Sequence, residues 1–203
     1  MSKPKTGPKP SAKREAILDA AQIAFLEEGY AATSMDAVAT KAGVSKATIY
    51  AHFDSKDLLF AAVIHRRCES SEIYATPDKT LDARATLKAV ATRLMTLLLS
   101  PEALSMYRVV VAESLRQPDL ARAFYESGPA RGKIEIGAIF SELHRRGELA
   151  VSDPWQAADQ FVGMLRTDYF MRALLGLAQK DGQTMDGIID NAVETMVRAY
   201  APA

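Results

Sequence analysis

Apolar residues recur three and four positions apart along most of the chain, which is the periodicity of amphipathic α-helices. No segment shows the sustained alternation of apolar and polar residues that predicts a β-strand. The sequence therefore predicts an all-α protein of about nine helices, divided by glycine and proline. Helices are predicted at about 11–28, as two short helices within 33–53, and at 55–74, 81–99, 102–116, 119–146 (interrupted or divided at Pro129), 155–178 and 184–200.

The segment 33–58 predicts two short helices joined by a tight turn. Thr33 or Ser34 is placed to cap the first helix, and Gly43 has the conformational freedom to end it in left-handed backbone. Ser45 is placed to cap the second helix. This spacing is typical of a helix-turn-helix, whose second helix enters the major groove of DNA.

The second of these helices has two different sides. Ile49 and Phe53 lie four residues apart and are expected to face the core. The other side suits a DNA groove because it combines a cation, small residues and a hydrogen-bonding aromatic: Lys46, Ala47, Thr48, Tyr50 and His52. A helical hairpin inside an ordinary all-α core fits the same residues, so the motif by itself leaves both interpretations open.

The wider N-terminal segment, about 11–66, resembles the DNA-binding domain of TetR-type transcriptional regulators. The matching runs are ILDAA from Ile17, FLEEGY from Phe25, TSMDAVA from Thr33, AGVSKATIYAHF from Ala42 and SKDLL from Ser55. The chain departs from many relatives at Ala51, where they carry a bulky aromatic residue. The resemblance implies a protein that binds double-stranded DNA at a palindromic operator.

The resemblance also assigns roles to individual residues. Lys46, Ala47 and Tyr50 are expected to approach base edges, where a lysine can donate to guanine and an alanine can meet a thymine methyl group. Phosphate contacts are expected from Thr33, Thr48, His52 and Lys56, and such contacts fix register without reading sequence. The predicted DNA-binding set is completed by the cap residue Ser45.

Charge is distributed unevenly although the net charge is zero. Residues 1–67 hold ten Lys and Arg against seven Asp and Glu, and five of those cations lie within the first fourteen residues. We expect three parts: a disordered basic arm at 1–10, a helix-turn-helix domain at 11–57, and a helical ligand-binding and dimerisation domain at 58–203. A basic arm can lie along phosphates, although a purely solubilising tail has the same composition.

Several other classes of protein find little support. Cys68 is the only cysteine, so no intrachain disulfide can form, and no apolar run suggests a signal peptide or a membrane span. We therefore expect a cytoplasmic protein. His65 and Cys68 offer two ligands where a structural metal needs about four, and no catalytic motif is present, so no metal, cofactor or enzymatic activity is expected. The alternative is a helical enzyme or adaptor whose helix-turn-helix is structural.

The C-terminal part is rich in methionine and aromatic residues, which predicts a pocket between helices as well as a core. Two runs, AESLRQPDLARAFY from Ala112 and GMLRTDYF from Gly163, resemble the AefR-like subgroup of C-terminal domains. In the family, the domain at this position binds a small effector. Candidate ligand-binding residues are Met106, Tyr107, Glu113, Phe140, Phe161, Met164, Arg166 and Tyr169. Arg166 has no acid three or four residues away, so it could meet an acidic ligand, a distant carboxylate or solvent.

The predicted helices 155–178 and 184–200 are apolar on more than one face, and the family pairs these two helices in a homodimer. The leading hypothesis is therefore a homodimeric repressor released from its operator by a small apolar or amphipathic ligand. A repressor without any small-molecule ligand is the second alternative.

Overall fold

The computed structural model describes residues 12–70 and 80–202, and it confirms the predicted all-α fold. The predicted basic arm, the end of the helix expected to reach Tyr74 and most of the break around Pro77 lie outside these residues. The described helices are α1 Ala12–Glu27, α2 Met35–Lys41, α3 Lys46–His52, α4 Lys56–Ser70, α5 Ala83–Leu98, α6 Pro101–Glu113, α7 Pro118–Tyr125, a π-helical turn Glu126–Ala130, α8 Arg131–Arg145, α9 Pro154–Leu165, α10 Asp168–Leu174 and α11 Met185–Ala199.

The predicted interruption at Pro129 is a π-helical turn between α7 and α8. Proline has no backbone N–H and cannot complete the regular helical bond, so the wider turn accommodates it without ending the helical path. A side-chain carbon added at Gly128 would lie 3.2 Å from Ile64 of α4. The π turn therefore rests closely against α4.

The prediction of a single helix at 155–178 is wrong. Helix α9 ends at Leu165, Arg166 has non-helical backbone (φ −89°, ψ 51°), and Thr167 is extended before α10 begins. The break lets the guanidinium of Arg166 lie over the rings of Tyr107 and Phe170, at 5.4 and 5.0 Å from their centroids. The contact with Tyr107 joins residues distant in sequence, so helical periodicity alone does not reveal the break.

The N-terminal helices pack around a first core that is shared with the rest of the chain. Phe25, Tyr30 and Phe60 form an aromatic cluster with ring centroids 5.3–5.5 Å apart. The same core contains Met106 of α6 and Leu120 of α7. It also contains much of α4, so the domain boundary predicted at residue 57 passes through continuous packing.

A second core lies between α5, α8, α9 and α11. Phe140 and Phe161 are fully buried there and meet edge to face, with centroids 5.8 Å apart. Val193 of α11 is 2% exposed in this core, and Ile189 is fully buried. The apolar side of α11 therefore faces its own chain, which corrects the expectation of a surplus apolar face on that helix. A charge at Val193 would test folding rather than assembly.

Exposed apolar residues are found instead at and after α10. Met171 is 49% exposed, Leu175 64% and Leu177 51%. Within the described ranges, no single helix is long and apolar enough to cross a membrane, and only the bent pair α5–α6 meets that test, by length and composition alone.

Candidate nucleic-acid interface and internal cavity

The backbone of α2 and α3 has the geometry that the sequence predicts. Of the two candidate caps of α2, Ser34 is the actual one, because its hydroxyl accepts from the Ala37 amide at 3.1 Å. Gly43 takes a positive φ of 66° in the turn. Ser45 then caps α3 by accepting from the Thr48 amide at 3.1 Å. These local bonds form the two caps and the turn that join α2 and α3.

The two sides of α3 separate as expected. Ile49 is fully buried, and Phe53, the residue that ends the helix, is 5% exposed. The opposite side is open to solvent and carries Lys46, Ala47, Tyr50 and His52, with Ser45 exposed beside a half-buried Thr48. The outward side of α3 is therefore free to enter a groove.

Lys46 is held by Asp36 of α2 through a 2.8 Å ion pair, and its ammonium lies 6.0 Å from the centre of the Tyr50 ring. The hydrogen bond that Lys46 donates to Asp36 raises the pKa of Lys46, so this lysine is positively charged at neutral pH. Exposed ion pairs contribute little stability. Lys46 can therefore leave Asp36 for a base edge or phosphate at small cost.

Thr33 is only 2% exposed, and its hydroxyl donates inward to the Gly29 carbonyl at 2.8 Å. This corrects the expectation that its side chain holds a phosphate. The hydroxyl instead stabilises the turn between α1 and α2. The local sequence offers Thr33 and Ser34 as equivalent caps, and only the packing of the turn decides which one points outward.

Lys56 also has a role within the fold that the sequence does not reveal. Its ammonium donates to the carbonyls of Tyr30 at 2.8 Å and Thr33 at 2.9 Å, and lies 4.3 Å from the centre of the Tyr30 ring. Desolvation in this half-buried position lowers the pKa of Lys56. The neighbouring Asp57 accepts a hydrogen bond from the Tyr30 hydroxyl, and burial raises the pKa of that tyrosine. The cluster joins the first residues of α4 to the turn between α1 and α2.

An internal cavity of about 250 Å³ lies between α4, α5, α6, α7, the π turn, α8, α9 and α10. Its wall is mainly apolar. The polar and ionisable side chains on the wall are Arg67, Cys68, Tyr107, Tyr125, Lys133, Asp159 and Arg166. A largely apolar space with a few polar groups is the usual form of a small-molecule site.

Three of the eight candidate ligand-binding residues line this cavity: Met106, Tyr107 and Arg166. The other five do not. Phe140 and Phe161 are fully buried in the second core, and Met164 and Tyr169 pack against it. Glu113 accepts a hydrogen bond from Gln117 at 3.2 Å. Helical spacing marks all of these residues as inward-facing, but it does not say which of two interiors each one reaches.

Sequence reasoning missed the contribution of α4 and of the π turn to the wall. Ile64 and Cys68 lie four residues apart on α4 and face the cavity, as does Gly128. The i, i+4 spacing of Ile64 and Cys68 in the sequence indicates that the two side chains share one face of α4. His65 points elsewhere, with Nε2 2.5 Å from the guanidinium of Arg131. Among residues 12–70 and 80–202, no group of three His, Cys, Asp or Glu side chains could hold a metal ion.

A helix-turn-helix head that shares its core with an all-α body defines a class of DNA-binding transcriptional regulators. The comparisons identify the family. Residues 17–63 match the model of bacterial regulatory proteins of the tetR family, and residues 85–202 match the AefR-like transcriptional repressor C-terminal domain. The chain belongs to the TetR family of transcriptional regulators. That family consists of regulators rather than enzymes, and its members bind DNA operators.

Individual relatives align with this chain over most of its length. The HTH-type transcriptional regulator SrpR of Pseudomonas putida is 25% identical, with 88% of this chain and 82% of that protein aligned. The solved structure of the flavonoid-responsive regulator FrrA is 34% identical, with a TM-score of 0.78 and coverage of 95% and 99%. A TetR family regulator from Pseudomonas syringae is 28% identical, with a TM-score of 0.70 and coverage of 94% and 98%.

The role of Lys56 can be separated from that of a phosphate contact. Lys56→Met keeps most of the apolar stem but leaves two backbone carbonyls without their donor, which we expect to cost about 1–3 kcal/mol in the free energy of unfolding. Urea titration measures this loss. Lys88→Met, which removes an exposed ion pair to Asp190 on α11, is the matched control and should cost less than about 1 kcal/mol. An unchanged unfolding free energy, with the salt dependence of DNA binding reduced by about one phosphate, would assign Lys56 to DNA instead.

Proposed function

We propose that this protein is a homodimeric repressor that leaves a palindromic operator when a small apolar or amphipathic molecule fills the internal cavity. The observation that carries the proposal is the position of α4. This helix follows α3 directly, packs in the first core through Leu59 and Phe60, and lines the cavity through Ile64 and Cys68. A ligand that shifts α4 therefore also shifts the helix that meets DNA.

DNA contacts are proposed for the exposed side of α3. Lys46, Ala47 and Tyr50 would meet base edges in the major groove, while Ser45, Thr48 and His52 would meet the phosphates. Their exposure and the cap geometry of α3 support this assignment. Lys56 would act by holding the start of α4 in place.

The close fit of α4 against the π turn supports the proposed coupling between the cavity and the DNA-binding helix α3. Gly128 has no room for a side chain without pressing on Ile64, so the two elements cannot approach further. A ligand lying between them would have to push one of them away. An allosteric coupling of about 1–3 kcal/mol is enough for a family of this kind to release DNA.

The cavity also bounds the effector. Its volume of about 250 Å³ lies just below the usual range of small-molecule pockets, so a compact molecule is expected. FrrA is a flavonoid-responsive regulator by name, and its chain aligns along nearly all of this one. An aromatic effector would also suit the rings of Tyr107 and Phe124, which meet edge to face at 5.6 Å on the wall.

Dimerisation is proposed through the last two long segments, 155–178 and 184–200. The exposed apolar residues Met171, Leu175 and Leu177 support this surface, whereas α11 would contribute mainly polar and small residues. A two-fold dimer places two copies of α3 on successive major grooves, about 34–36 Å apart.

The base-reading side of α3 can be tested with an operator selected from a random pool of duplexes. Lys46→Ala and Tyr50→Ala should each weaken binding to that operator by about 1–3 kcal/mol and relax base preference, because each removes a donor from the groove. Fluorescence anisotropy at several salt concentrations measures both effects. Lys88→Ala, on α5 away from the head, should bind as the parent protein does. Unchanged affinity in both α3 variants would reject the assignment.

The dimer surface predicts that Leu175→Glu gives a monomer. A charge at this 64% exposed position leaves the core intact but cannot be buried against a second copy without a large cost. Sedimentation should show a mass near 22.1 kDa rather than twice that value, together with loss of operator binding. Leu115→Glu, at a position that is 95% exposed outside the proposed surface, should remain dimeric. A parent protein that is monomeric at micromolar concentration excludes the proposed dimer.

Ligand control can be tested by filling the cavity. Gly132 lies on the wall, and no atom is within 4 Å of where its side chain would begin, so Gly132→Leu places a side chain into the space. A library of compact aromatic and amphipathic compounds is first screened for operator release from the parent protein. A compound at 100 times its dissociation constant should add about 2.7 kcal/mol to the parent's stability and nothing to Gly132→Leu.

Ala138→Leu adds the same group on the exposed side of α8 and should respond as the parent protein does. If a compound releases the Gly132→Leu variant from the operator at the same compound concentration that releases the parent protein, the cavity is not the effector site. If no compound stabilises or releases the parent protein, a repressor without a small-molecule ligand becomes the better description.

A further inference from the structure

The cavity has an uneven distribution of charge on its otherwise apolar wall. Lys133 and Asp159 neutralise each other through an ion pair of 2.6 Å. Arg67 donates to Glu102 and Ser100, each at 2.8 Å, so a carboxylate from outside the wall balances its charge. The remaining cation on the wall is Arg166, which is exposed and so lies where the cavity opens to solvent.

Arg166 differs from these neighbours because its partners are aromatic. One of its terminal nitrogens donates to the Tyr107 hydroxyl at 2.6 Å, and its guanidinium lies over the Tyr107 and Phe170 rings. Among the described residues it makes no ion pair with a carboxylate, since none of the salt bridges includes it. The two rings hold the guanidinium in place without neutralising it.

We propose that the cavity takes an amphipathic monoanion: an aromatic or medium-chain carboxylate whose acid group pairs with Arg166 and whose apolar body fills the space toward α4. This inference rests on the proposed ligand control and narrows its ligand to one chemical class. The planar fork of an arginine matches a carboxylate with two parallel hydrogen bonds. The Tyr107 hydroxyl, which now accepts from Arg166, would be free to donate to the same carboxylate.

The charges on the cavity wall also disfavour ligands that are dianionic, cationic or neutral. A dianion would bring one more negative charge than Arg166 can balance, and an unpaired charge in an apolar space is costly. A cation would have to compete with Lys133 for Asp159. A neutral molecule of the same shape would keep the apolar contacts but lose the opposite charge and the two parallel hydrogen bonds that a carboxylate makes with a guanidinium.

The test compares three probes with one body: 2-naphthoic acid, 2-naphthamide and 2-naphthol. Calorimetry measures the dissociation constant of each, and fluorescence anisotropy measures operator release. The acid should bind the parent protein at least about tenfold more tightly than the other two, a difference of about 1.4 kcal/mol. Arg166→Gln should weaken binding of the acid to the level of the amide, with a much smaller loss for the amide, because the amide has no charge to pair with the guanidinium. Arg166→Lys should restore part of the preference, because it keeps the charge but not the fork.

Arg145→Gln is the matched control, because Arg145 is exposed on α8, pairs with Glu142 and is not on the cavity wall. It should bind all three probes as the parent protein does. The proposal is overturned if the amide or the naphthol binds the parent protein as tightly as the acid, if none of the three binds, or if Arg166→Gln keeps the preference for the acid.

The anionic class of ligand and the proposed ligand control of DNA binding are rejected by different results. If the neutral probes release the operator and the protein shows no preference for the acid, the proposal that a ligand controls DNA binding stands. Only the assignment of the ligand to the anionic class is then rejected. An acid that binds through Arg166 without releasing the operator would keep the class of ligand and reject the proposed control of DNA binding.

Discussion

The packing of α4 along its length is the constraint on which the rest of the structure depends. Leu59, Phe60 and Val63 are buried in the core of the head, and Ile64 and Cys68, which belong to the same core, also form part of the cavity wall. Among the described residues, the head and the body therefore share α4 as a common packing element.

The start of α4 is secured by polar contacts and its later turns by close packing. The Lys56 ammonium binds two backbone carbonyls of the turn between α1 and α2, and Tyr30 donates to Asp57. Farther along, Arg66 pairs with Asp19 at 2.8 Å and Ile64 meets the π turn. Close-packed interiors respond to added volume by shifting whole elements, because they have little free space to absorb it. In the proposed mechanism, this close packing is what would carry a change in the cavity along α4 toward α3.

The head could be predicted from sequence because its signals are local. Ser45, Gly43 and the Ile49–Phe53 pair each act within a few residues, and the structure has them as caps, turn and core. The exposed side of α3 follows from the same periodicity. The positions of Thr33 and Lys56 could not be predicted in this way. The Lys56 ammonium bonds to a carbonyl more than twenty residues earlier, and the packing of the turn decides that the Thr33 hydroxyl points inward. On chemical grounds alone, a threonine hydroxyl and a lysine ammonium suit a phosphate as well as they suit the backbone carbonyls that they contact here.

In the body, the sequence by itself determined helices and inward faces, and the tertiary structure decided what those faces meet. Phe161 and Met106 are both apolar at helical spacing, yet one is buried in the second core and the other lines the cavity. The break at Arg166 likewise depends on Tyr107 of α6, about sixty residues earlier. Hydrophobic burial is non-directional, so it says that a side chain turns inward without selecting a partner. That selection comes from how whole helices pack, which no single stretch of sequence encodes.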